Sequence, residues 1–190
     1  MKTHCCLSNK RYEEIKEIVA DMYEDLGYKK LPIDVFELCN RLRIKVIKYS
    51  ELSTTNVMNS RRLSDDGYNL FNVNTNQYEI YYNDIVLCER TSFTIMHEIG
   101  HIMLEHTSHA DINEQEANFF AKTALAPLGV IYKLKLRNAL EVAKTFGLSM
   151  EFSENIVKHY NRAMIFPSIA EKEVKNRLTA LFNEYYVGVS

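Results

Sequence analysis

Five consecutive residues, His97, Glu98, Ile99, Gly100 and His101, spell H-E-x-x-H. On a helix, residues four apart are neighbours with Cβ atoms about 5–6 Å apart, so two imidazoles can converge on one ion while Glu98 stands beside it. Both histidines can ligate zinc. A carboxylate next to one ligand, and not itself a ligand, is where a hydrolytic zinc site needs its general base. Three protein ligands leave one coordination position for water, and Glu98 would take that water's proton and hand it to a leaving amine. Peptide hydrolysis is the natural reaction class.

The third ligand is sought on the next helical stretch, which opens with Glu114, Gln115, Glu116, Ala117 and Asn118. Glu114, Ala117, Asn118 and Ala121 share one face, and the small alanines allow two helices to pack closely there. Glu116 lies roughly 200° further around and points away from the ion if Glu114 points in. Glu114 is therefore the preferred ligand, with Asn118 one turn later as a hydrogen-bond partner for a ligating histidine. His106 and His109, in the intervening polar loop, compete for the same place, although solvated histidines are the simpler account of both. Thr94, one turn before His97, is a second candidate partner for a ligand, against the plainer reading of a packed helix threonine. Gly100 costs about 1 kcal/mol in a helix interior relative to alanine, which close approach of the second helix would explain.

These side chains need elements to hold them. Apolar residues Phe93, Met96, Ile99, Gly100 and Met103 form one stripe over Thr91 to Leu104, and a second helix runs from about Ile112 to Ala126, stopped by Pro127. Upstream, Ser8 caps a helix with Tyr12, Ile15, Val19, Met22 and Leu26 on one face, and Gly27 ends it. Pro32 begins a shorter apolar-faced segment through Leu42, followed by a strand around Ile44 and Val46. Ser50 to Gly67 is polar and reads as a long surface loop. Tyr68 to Val73 and Tyr78 to Tyr82 read as a hairpin turned at Asn74 to Gln77. If the Tyr78 to Tyr82 strand has a free edge, it can pair with an extended peptide beside the metal; an internal strand is the competing reading. Tyr68, Tyr81 and Tyr82 are candidates for stabilising an oxyanion, and aromatic packing explains them equally well. The rest reads as helices broken by Gly147 and Pro167, with Ser168 and Glu171 as a capping box for the last one. The fold class is α+β and mostly helical, with a small antiparallel sheet, divided into a domain over 8–128 and a C-terminal helical subdomain over 129–190.

Composition agrees with a globular chain of 190 residues: 46% hydrophobic and 25% charged. Its 23 basic against 25 acidic residues leave a net charge of −2, which excludes the basic excess of a dedicated nucleic-acid binder. No apolar run is long enough to span a bilayer, and Met1 to Lys10 lacks a secretory signal's apolar stretch, so a cytoplasmic location is expected. Cys5, Cys6, Cys39 and Cys88 show no paired short spacing, so reduced thiols are expected. His4, Cys5 and Cys6 are three adjacent donors on a terminus, a poor metal site.

The run Thr91-Ser-Phe-Thr-Ile-Met-His-Glu-Ile-Gly-His101, with Glu114-Gln-Glu-Ala-Asn-Phe-Phe-Ala121 and Pro127 behind it, resembles the ImmA/IrrE family of zinc metallopeptidases. The similarity of pattern extends to the Pro32 to Val46 segment and to Asp66-Gly67, covering roughly residues 8 to 128. It implies a zincin-like peptidase domain of the gluzincin type, with Zn2+ held by His97, His101 and Glu114 and with Glu98 as catalytic base. It further implies an intracellular peptidase, often encoded on phages or integrative elements, that cleaves or antagonises a helix-turn-helix repressor. Ala124-Leu-Ala-Pro127 departs from the family's more apolar ending, and the chain lacks room for the sensory domain that some relatives carry.

Ala139 to Phe146, Gly147 to Ser149 and Phe152 to Tyr160 have the outline of a helix-turn-helix, with Lys144, Lys158, His159 and Arg162 as a modest basic complement. Without a strong basic cluster, a helical pair packed on the peptidase or docking its protein substrate is preferred to DNA contact through 139–162. The leading reading is a regulatory zinc endopeptidase. Its runner-up is an antirepressor that holds zinc for stability and sequesters its partner uncut; Glu98 favours the enzyme, because a purely structural ion has no use for it.

Overall fold

The computed structural model describes residues 7–85, 88–108 and 110–182. His4, Cys5, Cys6 and His109 lie outside the described residues. Helix α1 (Asn9–Asp25) starts where the Ser8 hydroxyl accepts from the Arg11 amide at 3.2 Å, and buries Ile15, Val19, Met22 and Tyr23. Gly27, at φ +58°, turns the chain out of it. Helix α2 (Val35–Arg41) begins three residues after the expected apolar segment opens, because the Asp34 carboxylate, not Pro32, caps it through the amides of Phe36 and Glu37.

Strand β1 (Lys45–Lys48) leads through a 3-10 turn at Tyr49–Glu51 into helix α3 (Thr54–Leu63). The stretch expected to be a surface loop is thus partly helical. It had no apolar stripe to betray it, since α3 buries only Ser60 and leaves Met58 and Leu63 exposed.

Strands β2 (Gly67–Asn72) and β3 (Gln77–Tyr82) form the expected hairpin, with the Asn72 side chain accepting from the amides of Asn74 and Thr75 in the turn. The sheet order is β1-β3-β2, with β1 parallel to β3 and β2 antiparallel to it, so the sheet is mixed. β3 is therefore the central strand, and a peptide cannot add to it; β1 and β2 are the edge strands, and β2 is the one that lines the cleft.

Helices α4 (Cys88–Met103) and α5 (Asp111–Leu125) pack against each other and carry the candidate site, and the sheet lies against α4. Gly100 is where the two helices meet: a Cβ there would sit 3.1–3.2 Å from the Phe120 side chain, which accounts for a glycine inside the helix. Beyond Pro127 come α6 (Leu128–Lys133), α7 (Ala139–Phe146), α8 (Met150–Met164), α9 (Pro167–Lys175) and α10 (Arg177–Leu181). Gly147, at φ +65°, separates α7 from α8.

The expected Ser168–Glu171 capping box does not form. Pro167 occupies the first helical position, which moves Ser168 inside α9, and Glu171 pairs with Lys175 instead. One continuous core runs from Leu7 and Ile15 through Ile80, Met96 and Phe120 to Val142, Ile156 and Phe182.

Candidate metal centre

Helix α4 presents His97 and His101 one turn apart, and α5 brings Glu114 across from them. His97 Nε2 and His101 Nε2 lie 3.0 Å apart; Glu114 Oε2 is 3.3 Å from the first and Oε1 3.3 Å from the second. Two imidazole nitrogens and a carboxylate oxygen bonded at about 2.0–2.1 Å to one tetrahedral ion would stand about 3.3 Å from one another, so the donor set and spacing fit zinc. Among the described residues this trio is the one group of three histidine, cysteine or acidic side chains close enough to hold a metal ion. His101 and Glu98 are only 4% and 5% exposed, whereas Glu114 stands at the cleft's open side.

Glu98 is held from the sheet. The β2–β3 register pairs Asn69 with Ile80, which is fully buried, and Gly67 with Tyr82. Alternation then points Asn69 toward α4, where its Nδ2 donates to Glu98 Oε2 at 2.7 Å. Gly67 shares that face, and a Cβ there would meet the Thr94 methyl at 2.7 Å and the Tyr81 carbonyl at 2.8 Å, so glycine lets strand and helix approach. Asn69 is not among the residues that the motif spacing singles out; its one sequence signal is an asparagine at the inward parity of a strand.

A cleft of about 1000 Å³ opens over these groups, lined among others by Leu63, Tyr68, Asn69, Phe93, Phe152 and Asn155. Thr94 and Asn118 also line it, together with His97, Glu98, His101 and Glu114. Of the three tyrosines considered, Tyr68 is among the residues that line the cleft, although its ring lies on the sheet face opposite Asn69, with its hydroxyl 3.0 Å from Ser60. Tyr81 stacks on Tyr68 with ring centroids 5.1 Å apart and donates to Glu79 at 2.7 Å, and Tyr82 is buried. The start of α8 closes one wall, with Phe152 against Phe93 at 4.9 Å. At the rim, Arg90 pairs with Asp66 at 2.8 Å.

The structure gives His106 and Glu116 places the sequence did not foresee. His106 is neither a ligand nor solvated: its Nδ1 lies 2.9 Å from His101 Nδ1, and its Nε2 lies 3.0 Å from Glu116 Oε2. Glu116 points away from the three donors, as expected, but inward, where Arg11 of α1 donates to both of its oxygens at 2.7 and 2.6 Å. The Arg11 guanidinium holds this carboxyl below the usual range, against the opposing effect of burial and with help from His106.

Residues 39–157, more than half of the chain, match the M78 peptidase family model described as the IrrE N-terminal-like domain. No curated protein matches the chain. A helical H-E-x-x-H, a carboxylate from the next helix and a strand edge beside one cleft define the class, a metallopeptidase. The chain belongs to the ImmA/IrrE family of such peptidases. The match starts later than the resemblance read from the sequence and ends later, reaching into α8.

Proposed function

We propose that the protein is a cytoplasmic zinc-dependent endopeptidase whose substrate is a helix-turn-helix repressor encoded nearby, on a phage or mobile element. The observation that carries the enzymatic part is the juxtaposition of His97, His101 and Glu114 with a buried, oriented Glu98 in one open cleft. His97, His101 and Glu114 would hold the ion. When bound, zinc supplies Lewis acidity, polarising a carbonyl and lowering the pKa of a water toward neutrality.

The chain's own residues do the rest. Glu98 takes the proton of the attacking water and delivers it to the departing amine, and Asn69 keeps the carboxylate aimed. An extended substrate segment pairs with the outer edge of β2, which no strand covers among the described residues and whose Gly67 to Leu70 line the cleft. Phe93 and Phe152 offer it an apolar wall. Direct DNA contact through 139–162 is less well supported, because Ser149, Glu151, Phe152 and Asn155, at the start of the second helix, line the cleft instead.

The test is to incubate the zinc-loaded protein with the repressor encoded beside its gene and to search for fragments by mass spectrometry, comparing wild type with Glu98→Gln. The expected result is cleavage by the wild type and a loss of about 10²–10⁴-fold in rate in the variant. A stable complex with both proteins and no fragments would select the sequestering antirepressor instead.

A further inference from the structure

On the side of His101 away from the other two donors, four polar side chains stand in line: His101, His106, Glu116 and Arg11. Side-chain exposure along it is 4%, 6%, 10% and 31%, so the line runs from the interior to the surface of α1. Three separate pieces of chain build it. Arg11 comes from α1, Glu116 from α5, and His106 from the turn that ends α4.

That turn is shaped for the purpose. Glu105 takes the left-handed conformation at φ +54° and donates its amide to the Ile102 carbonyl at 3.1 Å, while the His106 amide donates to the His101 carbonyl at 3.0 Å. This 6→1 and 5→2 pairing is a Schellman cap. It folds the chain back over the last turn, so that the backbone of His106 meets that of His101 and the two rings lie 5.0 Å apart.

We propose that His106 is a positioning residue for the bound metal: it fixes His101 in the tautomer that leaves Nε2 bare, and Glu116 and Arg11 fix His106 in turn. The inference rests on the reading of His101 as a ligand through Nε2. Donor and acceptor roles permit one order. A neutral imidazole that offers Nε2 to a metal carries its proton on Nδ1, so His101 Nδ1 donates to His106 Nδ1. His106 therefore carries its own proton on Nε2 and donates it to Glu116 Oε2. Glu116, an acceptor throughout, takes the two parallel N–H groups of Arg11 with its remaining lone pairs. Every donor meets an acceptor, which a buried polar chain requires. The reverse order would seat a proton on His101 Nε2, where the metal belongs. Arg11 lies outside the family-matched residues 39–157, so the far anchor of the line is supplied by a part of this chain beyond the matched segment.

The test uses the full chain. In the zinc-loaded wild type with ¹⁵N-labelled histidine, long-range ¹H–¹⁵N correlation should find His106 protonated at Nε2 alone and His101 at Nδ1 alone. His106 protonated at Nδ1, or at both nitrogens, would overturn the proposal.

Competition with a chromophoric chelator gives the second readout. His106→Phe, which keeps a planar ring and leaves the Arg11–Glu116 pair intact, should weaken zinc binding about 10–100-fold. His106→Gln, which keeps an acceptor toward His101 and a donor toward Glu116, should bind more tightly than His106→Phe. Wild-type affinity in His106→Phe would overturn the relay alone, as would equal weakening in both variants, which would mean that only packing was lost. Failure of the wild type to take up zinc would overturn the metal-centre reading and the relay with it.

Discussion

Glu98 and Asn69 carry the chemistry at the residue scale, one as the base and the other as its aim. A carboxylate that must accept a proton gains from a fixed lone-pair direction, and the 2.7 Å bond from Asn69 supplies one from a different element. Asn69→Ala should lower kcat about 10–100-fold, the value of one hydrogen bond to a charged group, while leaving zinc content unchanged. Steady-state kinetics beside metal analysis checks this; an unchanged kcat would mean that Glu98 is oriented without Asn69. His97, Glu98 and His101 were legible because they lie within five residues on one helical face. Asn69, His106 and Arg11 were not, because their partners are 29, 5 and 105 positions away and no local period connects them.

At the scale of elements, close approach governs where the site can form. Gly100 admits Phe120 and so sets α5 against α4; Gly67 admits Thr94 and so sets β2 against α4. The first was foreseen, since a glycine inside an apolar-striped helix asks for a neighbour. The order of the sheet was not, because β1 pairs in parallel with a strand more than thirty residues away, and the hairpin's local signals are silent about what joins its other side. Nor was α3, whose polar sequence buries a single serine.

The cap of α4 gives this scale its prediction. Glu105 occupies a left-handed position that costs an L-residue roughly 1–2 kcal/mol and that glycine adopts freely. Glu105→Gly should stabilise the fold by up to about 1 kcal/mol after glycine's extra unfolded-state entropy is counted, read as a higher thermal midpoint, and should leave zinc affinity intact. A lower midpoint would show that the Glu105 side chain contributes more than its backbone costs.

For the whole molecule, the cleft depends on both ends of the described chain. Helix α1 packs on α5 and α10, and Arg11 reaches from it to Glu116 behind the metal centre. Lys16 of α1 pairs with Glu173 of α9, and Arg177 pairs with Asp21 and Glu24, so charged contacts join α1 to the C-terminal helices. Helix α8, packed on α9, brings Phe152 to the cleft wall. None of the described helices is long and apolar enough to cross a membrane. The chemistry of the cleft requires one ion held by two helices. Zinc-edge X-ray absorption of the purified, zinc-loaded protein should find two imidazole nitrogens and further oxygen donors with no sulfur, and Glu114→Ala should lose most of that zinc on dialysis. Sulfur scattering, a third imidazole, or full zinc retention by Glu114→Ala would contradict it.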